Sequence, residues 1–274
     1  MLWVTMASAF NVAAGYAGYM PFGYVAFYGV GAFTTAILVK KLGLAVLVAL
    51  PASALAGVIL ALLFAPTLRL TGIYFAIVSL ALASVCRLVV SGLPEHVAGG
   101  SLGIQLGSSA HPVEAYYLML VIMAVALVSI YAMSRARLGK ALCSIRDDAT
   151  AASMLGVDVA RVRLKGWIIA AVFPALCGGV EAWFSNVVDP DTAFSTLTTA
   201  KTIVYAVAGG LGSVTGPVVG AVVFSLIDEA IWRQFPALNF LILGLATVAF
   251  VLFLPRGLVG AVQNLKPAWR KYIP

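Results

Sequence analysis

Long apolar stretches, separated by short polar ones, run through most of this chain. They fall near 2–14, 22–39, 44–64, 72–91, 115–133, 166–185, 202–226 and 238–254. A straight helical crossing of a bilayer takes about 20 apolar residues, and 44–64, 72–91, 115–133 and 166–185 fit that length. Strands of a membrane barrel would show alternating segments of roughly ten residues, and no such alternation is present. The pattern predicts an all-α, polytopic transmembrane helical bundle. Two regions interrupt it: 15–32, GYAGYMPFGYVAFYGVGA, and 208–221, AGGLGSVTGPVVGA. Both are dense in Gly and carry a Pro, which lower helix stability by about 1 and about 3 kcal/mol per residue. Discontinuous or re-entrant helices are expected there. The two regions also parallel each other: Gly15-x2-Gly18 followed by Gly31-Ala32 matches Gly209-x2-Gly212 followed by Gly220-Ala221, the outline of an internal repeat.

Composition sharpens the class. The chain is 62% hydrophobic and only 10% charged, with a mean hydropathy of +1.05, against roughly half apolar and a quarter charged in soluble domains. The net charge of +7 does not call for nucleic acid, because the basic residues concentrate between 134 and 165 and in the tail (Arg256, Lys266, Arg270, Lys271). That is the distribution expected when Lys and Arg hold loops on the cytoplasmic side. The chain starts inside an apolar run without a basic leader, which argues against a cleavable signal peptide. Cys86, Cys143 and Cys177 have no metal-ligand spacing, His96 and His111 fall in loops, and no metal, cofactor or catalytic constellation is expected.

Charge also assigns topology. The 92–114 loop (Glu95, Glu114) and the 186–200 loop (Asp189, Asp191) lack Lys and Arg and read as external. A basic, internal tail then requires 202–226 to dip in and return, with the break at 209–217 and the 227–237 loop outside. Non-helical backbone at membrane depth is tolerated only where protein or a water-filled cavity receives its polar groups. Counting backwards puts Arg69 inside and Lys40–Lys41 outside, against the charge rule; a second break within 72–91 would remove that violation. Arg87 and Lys201 read as snorkelling residues near span ends, and Glu181 lies toward the outer end of its span.

The long polar segment is SRARLGKALCSIRDDATAASMLGVDVARVRLK, 134–165. Its mixture of polar, small and apolar residues suggests helices rather than a linker. Within it, Thr150-Ala151-Ala152-x3-Gly156 reads as a short helix ended by a glycine in a left-handed cap. An ordinary surface helix with a glycine stop is the plainer reading of those residues. Arg146, Asp147 and Asp148 read either as a solvated charge cluster, with ion pairs worth under ~1 kcal/mol, or as a contact to a partner. For Gly15, Gly18, Gly209, Gly210, Gly212, Ser213 and Gly216 the alternatives are close helix packing and open backbone lining a translocation pathway. In the pathway reading, amides at a half-helix start meet a carboxylate and free carbonyls meet an ammonium.

The Ala-Ala-x3-Gly segment resembles the EAA-x3-G loop of ABC importer permeases, with Thr150 where the motif has Glu. Its surroundings, notably Ile145-Arg146-Asp147-Asp148, resemble the branched-chain amino-acid (Liv-type) permeases. Three further blocks match in order: Gly15-Tyr16-Ala17-Gly18 with Gly29-Val30-Gly31-Ala32-Phe33; Leu70-Thr71-Gly72-Ile73-Tyr74-Phe75-Ala76-Ile77-Val78; and Gly209-Gly210-Leu211-Gly212-Ser213 with Gly216-Pro217 and Gly220-Ala221. The likeness is to the M-type permease. Departures are Tyr19-Met20-Pro21-Phe22, where the family has polar residues, and Gly99-Gly100-Ser101-Leu102-Gly103, in place of a Gly-Gly-Ser-Asp-Gly-type segment.

The resemblance implies one transmembrane permease domain over 1–274, with a coupling loop at 134–165, in a bacterial inner membrane. It implies an H-type permease partner, two cytoplasmic ABC ATPases contacting Arg146, Asp147, Asp148, Thr150, Ala151, Ala152 and Gly156, and a periplasmic binding protein. The cargo would be branched-chain or related amino acids; urea, amides and other small organic acids are the alternative. An ATP-independent secondary transporter would show intramembrane coupling charges, and a membrane-embedded enzyme a catalytic constellation. Neither is visible in the sequence.

Overall fold

The computed structural model describes residues 1–107 and 112–234. In chain order its α-helices are α1 (Leu2–Asn11), α2 (Val25–Leu42), α3 (Val46–Leu63), α4 (Ile73–Ser91), α5 (Glu95–Ala98), α6 (Pro112–Arg135), α7 (Arg137–Asp147), α8 (Ala149–Met154), α9 (Val159–Ser185), α10 (Pro190–Ala193), α11 (Thr196–Gly209) and α12 (Thr215–Gln234). Strands β1 (Ile104–Gln105) and β2 (Val187–Val188) form one short antiparallel ladder. The protein is an all-α, multi-pass membrane bundle: α2, α3, α4, α6 and α9 are each long and apolar enough to span. The outward faces of α3, α4 and α6 leave Leu55, Ile59, Ile77, Val85, Val125 and Val128 exposed, a surface suited to lipid or to partner helices rather than water.

Helix α9 is the centre, packed on α1, α2, α3 and α6. Small residues permit this. A Cβ on Gly31 would strike the Ala175 backbone, and one on Gly178 the Tyr28 carbonyl. Pro174 sits inside α9 and has no N–H for the Ala170 carbonyl one turn back. The fully buried Tyr24 supplies the missing donor: its hydroxyl reaches the Ala170 carbonyl at 2.7 Å.

The two ends of the bundle are distinct. At one end lie α7 and α8, the loop end. At the far end, β1 pairs with β2, and Arg87 of α4 bonds Asp191 of α10 at 2.7 Å. Lys40 also belongs to the far end, because its Nζ lies 3.6 Å from the Cβ position of Gly107, just after β1. Helix α4 runs without interruption over Ile73–Ser91. The second break considered for 72–91 is therefore absent, and Lys40–Lys41 stay opposite the basic loop despite their charge. The expected loop at 227–237 is also corrected in part, since α12 continues as helix to Gln234; 235–237, the 238–254 segment, the basic tail, and Ser108 through His111 lie outside the described residues. Arg161, Arg163 and Lys165, read as loop, occupy the first turns of α9.

This arrangement predicts a labelling pattern. In a Cys-free variant, single cysteines at positions 41 and 150 should react with impermeant maleimide from opposite faces of the membrane. Reaction of both from the same face would overturn the placement of α2 and α3.

Candidate functional site

The glycine-rich regions form two turns at the loop end. Helix α1 passes into a π-helical turn, Val12–Tyr16, and the chain then reverses into α2. Helix α11 stops at Gly209, and the chain reverses through 210–214 into α12. The break expected in the 202–226 segment is present, and α11 and α12 pack on each other as a hairpin. Gly210 and Gly212 hold φ of +111° and +85°, which side-chain-bearing residues rarely adopt. Ser213 Oγ accepts from the Gly216 N–H at 3.0 Å, capping the start of α12 as a hydroxyl does.

Asn11 joins the turns. Its Nδ2 donates to the Ser213 carbonyl at 2.8 Å, and its Oδ1 accepts the Gly212 N–H at 2.8 Å. Arg146, on the last turn of α7, enters the same space. Its Nη1 donates to the Gly15 carbonyl at 2.6 Å. A Cβ on Gly18 would lie 2.8 Å from Arg146 Cγ, and one on Gly212 would lie 3.0 Å from Nη1. Gly18 and Gly212, matched in the sequence parallel, thus share a left-handed backbone, at +79° and +85°, and flank one guanidinium.

Gly209 and Gly216 are placed differently. A Cβ on Gly209 would meet the Gly216 carbonyl, and one on Gly216 the Gly210 carbonyl. These glycines let α11 and α12 touch. Gly209→Val should therefore act through stability, by about 1–3 kcal/mol of overpacking. Folded protein and uptake should fall together. Uptake lost at normal protein level would point to a pathway role instead.

In the loop, Asp148 caps α8, accepting from the Thr150 and Ala151 N–H groups at 2.8 and 3.0 Å. Gly156 closes it. The Val157 N–H bonds the Ala152 carbonyl and the Gly156 N–H the Ser153 carbonyl, a pattern that needs the left-handed φ of +85° found at Gly156. Ala152 faces inward at 2% exposure, whereas Met154 and Leu155 stand 81% and 85% exposed. Asp147 forms an exposed pair with Arg146 at 3.3 Å. Burial pushes the Cys143 thiol above its ordinary range, with Arg146 opposing the shift. Its maleimide reaction should accordingly be slower at neutral pH than that of an exposed cysteine at 150, with the gap narrowing as pH rises. Equal rates at neutral pH would contradict that environment.

Two further features escaped the sequence reading. Lys201 does not snorkel: its Nζ bonds Asp228 Oδ2 at 2.7 Å, with the side chains only 20% and 13% exposed. Tyr205 donates to the same oxygen at 3.1 Å, and Lys201 lies 5.8 Å from the Trp3 ring centroid. At the far end, a cavity of about 530 Å³ is bordered by Ser84, Arg87, Asp191, Ser195 and Thr196 and reaches the start of α11. Ser84, one turn before Arg87 on α4, was the available signal.

A family described as branched-chain amino acid transport system / permease component matches residues 1–253. The chain belongs to this permease family. LivM, the high-affinity branched-chain amino acid transport system permease protein of Salmonella typhimurium, is 28% identical over 293 residues, covering 94% of this chain and 68% of that protein. The LivM protein of Escherichia coli is 26% identical over 290 residues, with the same coverage. The LivH permease protein of E. coli is 29% identical over 126 residues, 45% of this chain and 40% of LivH. No solved structure matches. The chain is thus a permease subunit of a transport system, and its family is one of transporters rather than enzymes.

Proposed function

We propose that this permease moves branched-chain amino acids inward across a bacterial inner membrane, driven by separate ATPase subunits. It pairs with a homologous H-type permease. The likeness to LivH over part of the chain, beside the longer likeness to LivM, supports such a pair. Two cytoplasmic ATPases dock on the loops, and a periplasmic binding protein delivers cargo to the far end.

The observation that carries this reading is the tip of α8. Two large apolar side chains, Met154 and Leu155, stand in the open on a short helix capped at both ends. Exposed apolar groups on a rigid element are what a partner groove buries. Asp148 and Gly156 cap that tip, and Thr150, Ala151 and Ala152 form its body. Nucleotide-driven closure of the ATPases changes the relative stability of inward- and outward-open states, because the ATPases bind the two states unequally.

The test is reconstitution. The permease pair, purified with its ATPases and placed in proteoliposomes with binding protein, should accumulate leucine only with ATP. Excess isoleucine or valine should compete, and urea or acetamide should not. Competition by urea alone would shift the cargo to small amides. Uptake without ATP would end the importer reading.

A further inference from the structure

We propose that Arg146 is the positioning residue that carries movement of the docking loop into the membrane domain, by holding the first broken-helix turn, which Asn11 ties to the second. The inference rests on the importer reading above and names the residue through which its loop acts.

Arg146 belongs to the loop by sequence and to the membrane core by contact. It lies in the last turn of α7, which is seated by the buried Leu142 and Ile145. From there its side chain runs past Gly18, donates to Gly15 and stops beside Gly212. The carbonyl it meets belongs to the final turn of the α1–π segment, where carbonyls lack intrahelical donors. That segment and α11 both present their C-terminal ends here, and a helix C-terminus favours a cation. The flat guanidinium offers several donors in fixed directions, as a lysine ammonium does not. Glycine at 18 and 212 leaves the channel the side chain occupies; at either position a Cβ would press on it.

The two turns are already tied to each other by Asn11. A displacement of α7 therefore moves them as a unit if Arg146 holds. They begin α2 and α12, the helices that return toward the far end. The Asp147 carboxylate faces the other edge of the guanidinium, reached from Nε and Nη2 at 3.3 Å each. The same group is thus steadied from the loop side.

The role separates docking from coupling, and the experiment reads both. Arg146→Met keeps bulk and removes charge and donors; Arg146→Lys keeps the charge. Each is compared with the unaltered chain in the complete reconstituted complex, for ATPase retained on the permease, ATP hydrolysed, and leucine taken up per ATP. Arg146→Met should retain its ATPase and its hydrolysis, while uptake per ATP falls about tenfold, a usual size for loss of coupling between sites. Arg146→Lys should recover part of that loss. If Arg146→Met sheds the ATPase, Arg146 is a docking contact and the proposal fails while the importer reading stands. Normal uptake per ATP also overturns it, as does uptake that falls only in proportion to inserted protein. An unaltered chain that retains no ATPase would sink the importer reading and this inference together.

Discussion

Lys201→Met should destabilise the permease by about 3–5 kcal/mol, the usual cost of removing one partner of a largely buried ion pair. Asp228 would keep the Tyr205 hydroxyl, bonded at 3.1 Å, but lose the ammonium at 2.7 Å. A neutral donor does not replace a cation where the carboxylate is only 13% exposed. The pair joins α11 to α12 on the far-end side of their turn, so its loss should open the hairpin. Lys201→Met combined with Asp228→Leu should regain most of the loss, because an apolar pair of similar volume needs no desolvation. Thermal unfolding in detergent, read by the melting midpoint, measures both. A single variant as stable as the parent would show the pair to be water-exposed in the assembled protein. A double variant worse than the single would show that Asp228 serves more than this partner.

Met154→Asp with Leu155→Asp should strip the ATPase from the purified complex. Buried apolar contacts at the centre of an interface commonly contribute 2 kcal/mol or more, so affinity should fall by about thirtyfold or more. The permease itself should stay folded, since both side chains stand in the open. Ala152→Asp is the contrasting change. Ala152 is 2% exposed, and a carboxylate there should disrupt the loop's own packing before any partner is involved. Co-purification at fixed concentration distinguishes them. Full ATPase retention in the Met154/Leu155 variant would remove the tip from the interface.

The spans, the broken segment and the glycine stop of α8 were legible in the sequence because each depends on near neighbours. Apolar length marks a crossing, and the Gly-Pro density of 209–217 marks the neighbourhood of the break, which falls at 210–214 while Gly216 and Pro217 lie in α12. Gly156 after a short Ala-rich run marks a left-handed cap. Residues whose meaning depends on distant partners were not legible. Arg146 reads as one charge among several until Gly15, 131 positions earlier, is seen to accept from it. Lys201 reads as a snorkelling end because the 227–237 segment reads as a loop that takes Asp228 with it; the continuation of α12 to Gln234 brings the two together. Charge misled in one place as well. A basic pair near a span end suggests the inner side, yet Lys40–Lys41 lie in the last turn of a helix whose direction is set by its packing on α9. The beginning of α9 was hidden for a related reason. Polar side chains do not prevent a helix, and they only mark where it leaves the apolar layer.

The Asn11 bridge bears on how the chain is assembled. Apart from the π-helical turn that continues it, α1 packs chiefly on α6, α9, α11 and α12, all made later. The Asn11 side-chain bonds close across separations of 201 and 202 residues, the kind of long-range pairing that forms late. While the segments between are made α1 therefore waits without these mates, and the α11–α12 hairpin completes its packing.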